Sequence, residues 1–86
     1  MAATGQHQLK IGETIRLRNR LLAQTELIYA GMPNDRTFSL VVTKTAGYQG
    51  LAYNLYLPTD QRHLQIGKAD ITIESVSATS IGLIID

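Results

Sequence analysis

Eighty-six residues limit the chain to one domain, near the size at which a single apolar core is only just sufficient for folding. Hydrophobic residues make up 44% and cysteine is absent, so stability has to come from apolar burial, without disulfides or a thiolate-held metal. Eight basic against seven acidic residues leave a formal charge of +1, which argues against a dominant nucleic-acid- or membrane-directed field and leaves room only for a local basic patch.

Residues 1–8, MAATGQHQ, are small and polar and are expected to form a disordered tail ahead of a single β-rich domain over 9–86. They lack the apolar stretch of a secretory signal, and no apolar run approaches the ~20 residues of a membrane-spanning helix. The default expectation is a soluble, cytoplasmic protein with no membrane partner. Leu9, Ile11, Ile15 and Leu17 alternate with polar residues around Gly12, predicting strand broken at the glycine. Over about 20–29 the prediction changes to a short helix. Leu17, Leu21 and Ile28 recur at helical spacing, Leu, Ala, Gln and Glu dominate the segment, Asn19 can cap its start, and Gly31 and Pro33 can stop it. A strand through Leu27–Gly31 is the competing reading.

Met32 to Arg36 has turn chemistry, with Pro33, Asn34 and Asp35. Phe38, Leu40 and Val42 then alternate with Ser39, Val41 and Thr43 as a strand. The two glycines around Tyr48 mark a hairpin loop, and Leu51–Leu57 is the return strand, ended by Pro58. From His63 to Asp86 the pattern is a short strand, a turn at Gly67, and two alternating strands joined by a small polar loop. Ile71 and Ile73, then Ile81, Leu83 and Ile85, define their apolar face.

The sum is a mainly β, or α+β, fold: a small antiparallel sheet, barrel or sandwich of about five to seven strands with at most one short helix. Intervals after Gly31 are too short for parallel crossover helices. An apolar final strand around Ile84 and Ile85 has to be central in its sheet or paired with another subunit, which makes a homodimer through the C-terminal strand one expectation.

Catalytic chemistry has little to build on. His7 and His63 are the two imidazoles, and no nucleophile elbow or other nucleophile-and-base spacing is present. Asp60 and His63 lie three apart across a turn but make no closed metal site, and the Thr45–Gly50 loop lacks a following Lys-Ser or Lys-Thr for phosphate binding. No catalytic residue, metal ligand or cofactor is predicted, and an enzyme is not expected. The local charge feature is Arg16, Arg18 and Arg20. On a regular strand these share one face, suited to tracking phosphates or clamping carboxylates, whereas a solvated face is the plainer reading. Tyr48 and Tyr56 are candidate stacking surfaces for bases, while Tyr53, in phase with Leu51 and Leu55, is expected in the core.

Leu64-Gln65-Ile66-Gly67, Ile71-Thr72-Ile73, Val76 and Ile81-Gly82-Leu83-Ile84 resemble the central hairpin of bacterial carbon storage regulators. The resemblance covers about a quarter of the chain, residues 64–84. It implies a small dimeric protein that interlocks strands and binds RNA in translational control. Ile11-Gly12-Glu13-Thr14-Ile15 is similar to the family's GET element but lies far upstream of the hairpin. No residue matches the family's RNA-contacting arginine, so no binding residue carries over. The sequence reading is therefore a small non-enzymatic binding module. RNA-binding post-transcriptional regulation through Arg16, Arg18, Arg20, Tyr48 and Tyr56 is its most specific form, and the alternative is a protein-interaction or assembly module using sheet edges and the 44–57 hairpin.

Overall fold

A computed structural model describes residues 5–20, 23–46, 49–66 and 69–85. Eight strands occupy them: β1 (Gly5–Lys10), β2 (Thr14–Arg20), β3 (Ala23–Asn34), β4 (Thr37–Ala46), β5 (Gln49–Pro58), β6 (His63–Ile66), β7 (Ala69–Val76) and β8 (Ser80–Ile85). They form two antiparallel sheets of four strands each, ordered β1-β8-β7-β6 and β2-β3-β4-β5. The second is a simple meander. The first is closed by pairing β1 with β8, so Leu9 lies opposite Ile81 and His7 opposite Leu83.

Alternation explains why the sheets face each other. Leu27 and Tyr29 on β3, Phe38, Leu40 and Val42 on β4, Ile71 and Ile73 on β7, and Ile81, Leu83 and Ile85 on β8 are all buried and belong to one core cluster. Each sheet thus covers the apolar face of the other, the arrangement two half-apolar sheets need in water. The chain passes between sheets at two turns, both bonded to each sheet. At the first, Ile11 N donates to Thr79 O (3.1 Å) and Gly12 N to Tyr29 O (2.9 Å). At the second, Thr59 N donates to Arg36 O (3.0 Å) and Ile73 N to Arg62 O (2.8 Å). Among the described residues no helix is long and apolar enough to cross a membrane.

Three expectations are corrected. The helix over about 20–29 does not form: Arg20 ends β2 and Ala23–Tyr29 begin β3, in register with β2 and β4. Its helical spacing rests on Leu17, Leu21 and Ile28, whereas burial follows period two, with Leu27 and Tyr29 fully buried and Ile28 half-buried between them. Burial between two neighbouring strands outweighs a propensity difference of a few tenths of a kcal/mol per residue. Gly5–Gln8, expected in a disordered tail, instead belong to β1 and pair with β8, while residues 1–4 lie outside the described residues. Finally, β8 does not await a second copy. It lies between β1 and β7, with both edges hydrogen-bonded inside the chain.

Gly31 sits where the β3–β4 register shifts, with φ of +95°, and the side chain of Ile11 covers it so closely that a Cβ there would meet Ile11 Cδ1 at 3.1 Å. Gly31→Ala should therefore destabilise by about 1–3 kcal/mol through backbone strain. Tyr29 Oη donates to Ser77 O in the β7–β8 loop at 2.5 Å, linking the two sheets through the core. Tyr29→Phe, which keeps the ring and loses this bond, should lower stability by about 1 kcal/mol in denaturant unfolding. Burial also raises the Tyr29 phenol above its ordinary value of 10.0. A raised folded-state value means that the neutral phenol stabilises the fold fully below the unfolded value, and that this contribution is lost as pH rises beyond it. Stability should fall above about pH 10, and fall less steeply in Tyr29→Phe than in the parent.

Candidate protein-interaction edge

Of the residues that the sequence grouped, the three arginines lie on β2 and Tyr56 on β5. Arg16 is exposed and lies opposite Glu26, Arg18 opposite Thr25 and Arg20 opposite Ala23, with a register shift between Arg16 and Arg18 at the buried Leu17. Thr25 and Glu26 are successive on β3 and so belong to opposite faces. The shift at Leu17 thus offsets the β2 backbone by one residue against β3. Tyr48 lies outside the described residues. Tyr56 is 62% exposed on the outer face of β5, opposite Ser39, and its hydroxyl accepts a hydrogen bond from Asn54 Nδ2 at 3.2 Å. Tyr53 is half-buried and packs on the core. His63 and Asp60 are exposed, and no group of three or more His, Asp or Glu able to hold a metal ion occurs among the described residues.

A shallow polar dent lies on the outer face of the first sheet, lined by Gln6, His7, Gln8, Glu74, Ser75 and Gly82, with a volume of about 370 Å³. Gly82 forms its floor because a Cβ there would meet Ser75 Oγ at 2.8 Å, beside the register shift between Ile73 and Ser75. Two of its polar groups already satisfy each other: Gln6 Nε2 donates to Glu74 Oε1 at 2.8 Å across β8.

The four sheet edges differ far more. β6 has four residues. β2 is bulged and carries three arginines. β1 ends in Lys10, whose N–H is capped by Glu13 Oε1 at 2.6 Å. These are the ordinary means by which proteins blunt an edge: shortness, charge, bulges and capping. β5 has none of them, and its one blunting residue, Pro58, stands at its very end. It runs ten residues, QGLAYNLYLP, without a single charge, and pairs with β4 in unbroken register from Thr37–Pro58 to Ala46–Gln49. Its inner-face side chains Tyr53, Leu55 and Leu57 are only half-buried, and Leu51, in phase with them, is 60% exposed.

The hydrogen-bond phase of this edge follows from one contact. Thr59 N donates to Arg36 O, so the residues of β5 bonded to β4 are those an even number of places before Thr59, namely Leu57, Leu55, Tyr53 and Leu51. The N–H and C=O groups of Gly50, Ala52, Asn54 and Tyr56 point away from β4 to the open side. Pro58 falls in the same outward phase, where its missing N–H costs the ladder nothing.

Comparison of the chain with protein-family models, with curated proteins and with solved structures finds no match. Its chemistry has to be read from the molecule itself. The 44–57 hairpin is already a candidate interaction surface from its sequence; the signal that singles out its return strand is the absence of any charged residue from Gln49 to Pro58 in a chain with eight basic and seven acidic residues. Proline placement tests the phase. Asn54→Pro removes an outward N–H, whereas Leu55→Pro removes one bonded to Leu40 and leaves that carbonyl without its partner. Leu55→Pro should cost about 1–3 kcal/mol more than Asn54→Pro in chemical denaturation.

Proposed function

We propose that this protein is a non-enzymatic protein-interaction module whose working surface is the open edge of β5, onto which an extended segment adds as a further strand. The observation that carries this reading is the contrast among the edges: three are short, charged, bulged or capped, and β5 is long, straight and uncharged. An incoming strand would take main-chain hydrogen bonds from Ala52, Asn54 and Tyr56. It would also cover the half-buried Tyr53, Leu55 and Leu57 and the exposed Leu51 and Tyr56. Main-chain pairing supplies affinity in such contacts, and the alternating side chains supply selectivity.

The RNA-binding reading draws on Arg16, Arg18, Arg20 and the resemblance to carbon storage regulators. It is the less supported of the two, because it rests on sequence spacing and a resemblance over about a quarter of the chain, whereas the edge reading rests on the strand pairing of β5. The two readings separate in one capture experiment with the immobilised chain and extract from its own cells. Retained polypeptides should survive nuclease treatment, disappear with Asn54→Pro and persist when the three arginines become Ala. Retention of nuclease-sensitive RNA that falls steeply with salt and vanishes with the arginine variant would overturn the protein-edge reading.

A further inference from the structure

The open edge of β5 has the properties of a self-complementary surface, and we propose that its occupant is β5 of a second copy of this chain. The pairing is antiparallel about a two-fold axis at Asn54 and makes one continuous eight-stranded sheet from two four-stranded ones. This rests on the reading of β5 as an interaction edge and names its partner.

Phase, charge and side-chain size support the same occupant. A two-fold axis normal to the sheet keeps inner faces together, so residues opposite each other must share a face. The outward-pointing groups of Ala52, Asn54 and Tyr56 are symmetric about Asn54. With Asn54 opposite itself, Ala52 lies opposite Tyr56, so both hydrogen-bonded pairs flanking the axis are complete, and Gly50 N–H meets the carbonyl of Pro58. That last match uses the one outward position lacking a donor only as an acceptor.

The edge is also uncharged along its whole length, so a second copy brings no like charge against it. A charged partner strand would find no counter-charge there. Finally, the register sets small against large and covers what the free chain exposes. Ala52 meets the 62% exposed Tyr56, and the 60% exposed Leu51 meets Leu57. Tyr53 meets Leu55, which completes the cover over two half-buried core residues. One strand edge is a small contact, so the dimer forms with rising concentration rather than permanently.

Sedimentation of the purified chain across concentrations up to the near-millimolar range reads the state. The expected result is a reversible monomer–dimer equilibrium that Asn54→Pro shifts fully to monomer, with its β-sheet circular dichroism unchanged. Geometry is read by single cysteine substitutions, which the cysteine-free chain permits. Opposed Cα atoms in a hydrogen-bonded pair lie about 5.5 Å apart, within disulfide reach. Asn54→Cys should therefore link two copies on mild oxidation. Ala52→Cys, also exposed but opposite Tyr56, should not. A chain that stays monomeric throughout overturns self-pairing, as does a dimer that Asn54→Pro leaves intact or that the Asn54→Cys variant fails to link. If the monomeric chain still captures a polypeptide lost with Asn54→Pro, the interaction-edge reading stands and only the partner is wrong.

Discussion

Tyr29 is the point through which the two sheets hold each other. Its ring is fully buried in the core from the β3 side, its backbone N–H and C=O serve the first crossing turn, and its hydroxyl reaches the Ser77 carbonyl beyond β7. A buried phenol is tolerated because that hydroxyl has a partner, and the geometry that supplies it fixes the distance between one sheet and the far loop of the other. Much else follows from this placement. The turn at Ile11 and Gly12 is bonded to both sheets, and Ile11 closes over Gly31. The β7–β8 loop is held where Ser77 Oγ donates to the Ser80 carbonyl and accepts from the Ser80 N–H.

The sheets that Tyr29 joins are unequal. Strands β3, β4 and β5 run ten to twelve residues, while those of the first sheet run four to eight. The molecule measures 38 × 23 × 18 Å, and ten-residue strands, at about 3.3 Å per residue, account for the long dimension. Four shorter strands have less apolar face with which to cover the longer sheet, and Leu51, in phase with three core-packed residues, is exposed. Exposure at β5 thus comes from the architecture and not from polar sequence.

Most strands were legible because period-two alternation is local. Phe38-Leu40-Val42, Ile71-Ile73 and Ile81-Leu83-Ile85 announced both their conformation and their buried face. Ala23–Tyr29 did not, since Leu, Ala, Gln and Glu are good helix formers and what makes the segment a strand is neighbours brought from elsewhere in the chain. Gly5–Gln8 were illegible for the same reason: their partner is β8, at the other end of the sequence. The register shift between Arg16 and Arg18 is a bulge, which a spacing rule cannot anticipate. Edge or centre is likewise a property of topology, so the sequence could present Gln49–Pro58 as a strand but not as an unguarded one.

The pairing of β1 with β8 also bears on how the fold is reached. β2 to β5 are joined by short connections, so their contacts close small loops at little entropic cost. Lys10 meets Ser80 only after nearly the whole chain has been traversed. The meander can assemble first, and its apolar inner face then waits for β6 to β8 and finally for β1. In a chain that folds in that order, Leu27, Leu40 and Val42 stay bare until the first sheet docks, which ties protection of the meander's apolar face to contacts distant in sequence.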